Sequence, residues 1–140
     1  MYEWFDGYVR AKPGVTVEYK PEWQWLRYFV GGKSFAHVAL SGEGGEAHAL
    51  TLRCSELDID ALRQRYKAAA PGYYTNKKAF LTLWFDLAAV PERDRLAEAP
   101  EGDFPSDEQV KALADKAYGL IFSKLTKKQR EAIASGVSPQ

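Results

Sequence analysis

"EWQWLRYFVGGKSFAHVALSGEGGEAHALTLRC", residues 22–54, decides the fold. Its aromatic and aliphatic runs are separated by Gly31-Gly32 and by "SGEGGE" at 41–46, connections too short for a parallel crossover. The stretch therefore predicts a three-stranded antiparallel meander whose first turn is a tight glycine hairpin. In its last run, alternation assigns His48, Leu50, Leu52 and Cys54 to one face and Ala47, Ala49, Thr51 and Arg53 to the other.

Working outward, Tyr2, Phe5, Tyr8 and Val9 have the spacing of a short amphipathic helix, which "KPGV" at 12–15 ends. Downstream, Ser55 opens a helix with Glu56, Asp58 and Asp60 near its positive end and Arg63, Arg65 and Lys67 near its negative end. Ile59, Leu62, Tyr66 and Ala69 form its stripe, and Pro71-Gly72 stops it. "KKAFLTLWFD", residues 77–86, reads as a strand with Leu81, Leu83 and Phe85 on one side and Phe80, Thr82 and Trp84 on the other. Residues 87–105 are acidic and punctuated by proline, and read as a long surface loop. Capping boxes at Ser106–Gln109 and Thr126–Gln129 begin two further helices, the first facing inward with Val110, Leu113, Ala117, Leu120 and Ile121. The pattern is that of one α+β domain over residues 1–140, with no internal repeat.

Composition narrows the functions. Nineteen basic residues balance nineteen acidic ones, so no global field draws the chain to nucleic acid or to an anionic membrane, and such binding requires a local patch. Cys54 is the lone cysteine, which excludes an intramolecular disulfide and a cysteine-built zinc site. His37 and His48 flank a hairpin but lack a third ligand, so the expectation is two partly buried sheet histidines, no metal and no cofactor. No G-x-S-x-G elbow surrounds a serine, and "GEGGE" lacks the Lys-Ser/Thr ending of a phosphate loop. No catalytic residues emerge, and the chain reads as a non-enzyme. With no basic start followed by an apolar core, and no apolar run approaching about 18 residues, the expected setting is cytoplasmic, without a membrane.

Two groups of residues stand out against that background. Trp23, Trp25, Phe29, Phe80 and Trp84 fall on the sheet side that helices on one face leave uncovered; a curved core, an interface between proteins, or a stacking platform each accounts for them. Arg53, Arg63, Arg65, Lys67, Lys77 and Lys78 cluster around "PGYYTNKK" at 71–78, and Lys124, Lys127, Lys128 and Arg130 lie near the C-terminus. An ordinary solvated surface with suitably charged helix ends explains these cations as well.

The order of "YFVGGKSFA" (28–36), "LTLRC" (50–54), "LRQRY" (62–66), "PGYYTNKKAFLTL" (71–83) and "DKAYGLIFSKLTKKQR" (115–130) closely resembles the MmcQ/YjbR family of small bacterial proteins across nearly the whole chain. The resemblance implies a two-layer fold, an antiparallel sheet with helices on one face, similar to CyaY-like and secretion-chaperone-like proteins. It also implies a DNA-binding role and brings no catalytic set. The chain departs from the pattern in a short first helix, in Phe80 where the family commonly has tryptophan, and in an acidic insertion after Asp86 that would shield the cationic strand.

Two expectations follow. In the first, a sequence-tolerant nucleic-acid-binding module places Lys33, Arg53, Lys77 and Lys78 on phosphates and stacks Tyr73 or Tyr74 on a base, while Asn76 orients the turn or bonds a sugar or base edge. In the second, a protein-interaction or chaperone-like module, a homodimer among its forms, uses Trp25, Phe29, Phe80 and Trp84 as its interface.

Overall fold

Six strands and four α-helices follow one another in the computed structural model, which describes residues 1–73 and 75–136. The helices are α1 (Phe5–Arg10), α2 (Glu56–Arg65), α3 (Asp107–Phe122) and α4 (Lys127–Ala134). The strands are β1 (Val15–Lys20), β2 (Trp25–Val30), β3 (Lys33–Leu40), β4 (Ala47–Arg53), β5 (Ala69–Pro71) and β6 (Phe80–Trp84). They form one antiparallel sheet in the order β1-β2-β3-β4-β6-β5.

The expected meander is β2-β3-β4. Gly31 and Gly32 join β2 to β3 with φ of 58° and 77°, the paired left-handed geometry that matches strand twist and favours glycine. Both capping boxes form: Ser106 and Thr126 accept from the backbone N–H of Gln109 and Gln129, whose side chains reach back.

The sheet is larger than the meander, and two differences explain why. β1 extends the edge beyond β2, with Val15, Val17 and Tyr19 packed toward the core. At the other edge, the helix expected to reach Ala69 stops at Arg65, where Tyr66 turns extended, and Ala69–Pro71 become β5 against β6. Ala68, Ala69 and Ala70 are buried, so tertiary burial and the β6 ladder outweigh alanine's helix preference of under about 1 kcal/mol per residue.

Alternating side chains divide the sheet into two faces. Tyr28, Val30, Val38, Leu50, Leu52, Leu81 and Leu83 form one core with Phe5, Val9, Ile59, Leu62, Val110, Leu113, Ala117 and Ile121 from the helices. Leu125 and Ile133 place α4 in that same layer. Residues 87–105 run over the surface but are anchored, rather than free, through two 3-10 turns at Leu87–Ala89 and Glu92–Asp94. Val90 is buried against Ala49, Ala70 and Trp84. The buried Asp94 accepts from Arg63 at 3.1 Å, and Glu101 accepts from Arg65 at 2.7 Å.

Candidate functional site on the open face of the sheet

Register places the opposite face residue by residue. Lys20, Trp25, Ala39, Ala49 and Trp84 form one row across the strands. Glu18, Arg27, His37, Thr51, Thr82 and Ala70 form the next; beyond it Thr16, Phe29 and Ser34 align across β1–β3 and Arg53 pairs with Phe80 across β4 and β6. Trp25 and Trp84 are thus three strand spacings apart, about 14 Å, with only alanine methyl groups between them. Two large walls and a low floor leave a cavity of about 500 Å³.

The cavity is walled on one side by Trp23 and Trp25, whose ring centroids are 5.0 Å apart, and on the other by Tyr73 and Trp84, also 5.0 Å apart. Its floor includes His37, Ala39, Ala49, Thr51 and Thr82, and Glu22, Gln24 and His48 complete the lining. Pro21 to Gln24 turn tightly, and Gln24 holds φ at 57°, a left-handed conformation that costs a non-glycine residue about 1 kcal/mol. That strained residue sits on the rim of the cavity.

"PGYYTNKK" supplies the opposite wall by folding back over β6. Tyr73 donates its backbone N–H to Thr82 Oγ1 at 3.1 Å, and that oxygen also pairs with Thr51 Oγ1 at 2.8 Å. Gly72 permits the fold-back, because a side chain there would run into Thr75 and approach Phe80 Cβ to 2.8 Å. Asn76 Oδ1 accepts from the Lys78 N–H at 3.0 Å, so the asparagine organises its own turn. Lys77 Nζ reaches the Gly72 carbonyl at 3.3 Å, and both lysines are exposed. Tyr74 lies outside the described residues.

A bulge corrects the alternation expected in β4. Leu40 pairs with Ala47 but Ala39 pairs with Ala49, so His48 is the extra residue. Ala47 turns toward the core, and His48 joins the cavity lining instead of the Leu50 face. The histidines do not face each other, since His37 pairs with Thr51. His37 is 4% exposed, and no described residue hydrogen-bonds its ring nitrogens. Burial, aided by the nearby Arg27 charge, pulls its pKa down to about 3, so the imidazole is neutral. Among the described residues, no three His, Cys, Asp or Glu side chains cluster to hold a metal. Cys54 faces the core, where burial and then Asp58 push its thiol up to about 11.

Cations lie on the rings around the cavity. Lys20 and Arg27 stand 5.3 and 5.6 Å from the Trp23 ring, Arg27 stands 4.8 Å from Phe29, and Arg53 stands 4.6 Å from Phe80. Arg53 also donates to the Ser34 carbonyl at 3.3 Å, and burial draws its pKa below the usual value. Lys33 is exposed at the β2–β3 turn. On this face Glu18 pairs loosely with Arg27 at 3.9 Å. Arg63 and Arg65 belong elsewhere, since Asp94 and Glu101 engage them, and Lys127 and Lys128 begin α4 in the helical layer. Of the two residue groups expected from sequence, Arg53, Tyr73, Lys77 and Lys78 on one hand and Trp25, Phe29, Phe80 and Trp84 on the other share one region of the sheet, whereas Lys33 pairs with the core-facing Val30 and falls on the helical side. Sequence does not single out Lys20, Glu22, Gln24 or Arg27, and names His48 only as a metal candidate without a third ligand; alternation from Trp25 is the signal available for Arg27.

No helix among the described residues is long and apolar enough to cross a membrane. No curated protein matches the chain. The fold is shared with the Deinococcus radiodurans protein DR2400, described by the family domain DUF419, at a TM-score of 0.70 and 20% identity over 97% of this chain and 88% of that one. A Pseudomonas syringae protein matches at a TM-score of 0.55 and 14% identity, covering 86% of this chain and 97% of that one. The family model YjbR matches residues 10–120, and the chain belongs to the YjbR family.

Proposed function

We propose that the open face of the sheet binds single-stranded nucleic acid with little sequence preference, and that the protein is a binding module without a reaction of its own. The observation that carries this reading is the pairing of Lys20, Arg27 and Arg53 with Trp23, Phe29 and Phe80 on one face. The exposed Trp23 and half-buried Phe29 can stack bases of any sequence, and cations beside them neutralise the phosphates between, while the buried Phe80 seats Arg53. Lys77 and Lys78, exposed in the turn before β6, extend the positive charge past the Phe80 end of the sheet. The acidic insertion does not oppose it at Asp94 and Glu101, because those carboxylates engage the arginines of α2.

Fluorescence anisotropy with a labelled single strand tests the reading by location. Reversing Lys77 and Lys78 to glutamate weakens binding, whereas Lys127→Glu with Lys128→Glu on α4 leaves it nearly unchanged. Equal losses from the two pairs would reduce the effect to net charge, and absent binding at low salt removes the proposal.

A protein-interaction reading draws on Trp23, which is 52% exposed at the edge of the same face. A concentration-dependent dimer, dissociated by Trp23→Asp, is the outcome in light scattering that favours it.

A further inference from the structure

We propose that the cavity between Trp25 and Trp84 receives one unstacked nucleobase of the bound strand, with His37 hydrogen-bonding the edge of the base. The identity of the ring rests on the nucleic-acid reading above; its place rests on the cavity.

Size and shape come first. About 500 Å³ lies within the range of small-molecule sites and has room for a nucleobase. The walls are indole and phenol rings, while Ala39 and Ala49 keep the floor low, so the space is flat-sided and apolar. Such walls favour a planar aromatic occupant through stacking.

The polar groups make the site selective for a base rather than for a hydrocarbon. Thr82 Oγ1 already takes the Tyr73 N–H and pairs with Thr51, while no described residue hydrogen-bonds the His37 ring nitrogens, so the imidazole brings both of its polar atoms to the floor. A neutral imidazole offers one donor and one acceptor, the alternating pattern presented by base edges. At the rim, the Glu22 carboxylate can accept from an exocyclic amino group and the Gln24 amide can pair bidentately.

Charge outside the cavity fits what a base carries. Lys20 and Arg27 both lie over Trp23, so an anionic group attached to an inserted ring meets two cations. An aromatic side chain from a protein partner brings no such charge, and an acyl chain uses neither the cations nor the imidazole.

Three of the chain's four tryptophans line the cavity, which gives the experiment a native reporter. A dT octamer and an abasic octamer with the same phosphates are titrated into the protein at low salt, following tryptophan fluorescence and, with end-labelled strands, anisotropy. The dT strand is expected to change the tryptophan emission saturably, while the abasic strand binds by charge and leaves emission unmoved. Ala39→Leu, which fills the floor from a half-buried position, should weaken the dT emission change by about tenfold or more and leave abasic binding unaltered. His37→Leu, which keeps an apolar group beneath Trp25, should weaken it in the same way.

Strands that bind with salt-dependent anisotropy but give equal emission changes for dT and abasic forms, or an Ala39→Leu response equal to the parent's, overturn the inserted base while leaving the cationic face standing. Absence of all strand binding together with no response to thymidine monophosphate removes both. A saturable response to thymidine monophosphate, lost in Ala39→Leu, without strand binding removes the face reading and keeps the base site.

Discussion

Trp25 lies flat on His37, with ring centroids 3.8 Å apart and planes 11° from parallel. This stack buries an imidazole that no described side chain hydrogen-bonds, beneath the wall of the one cavity where most of the chain's tryptophans meet. The arrangement fixes how the protein responds to acid.

Burial holds His37 at about 3 in the folded protein, with the Arg27 charge acting in the same direction. The unfolded chain titrates near 6.5, so between these values it binds a proton that the folded state refuses. Stability from this residue is complete above about 6.5 and is lost as the pH falls toward 3, by up to about 1.4 kcal/mol per pH unit. Urea unfolding near pH 4.5 and pH 7 should show a smaller difference for His37→Gln than for the parent. An identical difference in both proteins assigns the acid sensitivity to other groups.

Thr82 links the sheet to the tyrosine wall. Valine in its place deprives the Tyr73 N–H and the Thr51 hydroxyl of their 3.1 and 2.8 Å partner, in a position 1% exposed. The expected cost is about 1–3 kcal/mol in thermal unfolding. Single-strand affinity should fall with it as Tyr73 loses its support, and Thr82→Ser should restore most of both. Full stability in Thr82→Val would show that the hydroxyl pair is dispensable.

Gly72→Ala tests the fold-back of "PGYYTNKK". The added methyl meets the Thr75 hydroxyl and lies 2.8 Å from Phe80 Cβ, which the β6 ladder holds in place. Differential scanning calorimetry should register a loss of about 1–3 kcal/mol. A melting temperature equal to the parent's means that the turn moves freely off β6.

Gln24→Gly separates backbone strain from side-chain function. Glycine relieves the φ of 57° but loosens the unfolded chain, so the net gain in stability should not exceed about 1 kcal/mol. The Gln24 amide is lost from the rim, and the emission change with the dT octamer should weaken. A variant that is stabilised and still responds fully to the octamer excludes that amide from base contact.

Sequence revealed more of the architecture than of the site. The meander, the β6 faces and both capping boxes followed from alternation and local hydrogen bonding, which neighbours in sequence are enough to specify. β5 did not, because three alanines after a helix favour more helix until β6 arrives from ten residues away to bury them. Alternation puts His48 on the wrong face because one extra residue in a strand reverses it, and nothing within "GEAHAL" announces the bulge. The trough depends on two alanines lying between two tryptophans on four different strands, a relation created by register and absent from any local motif.

The central claim is that nucleic acid lies on the open face of the sheet, and backbone amide NMR shifts during titration with a single-stranded octamer test it most directly. The account predicts saturable shifts concentrated at Trp25, Arg27, His37, Arg53, Tyr73 and Trp84, diminishing as salt is raised. Shifts confined to α3 and α4, or no shifts at low salt, would contradict it.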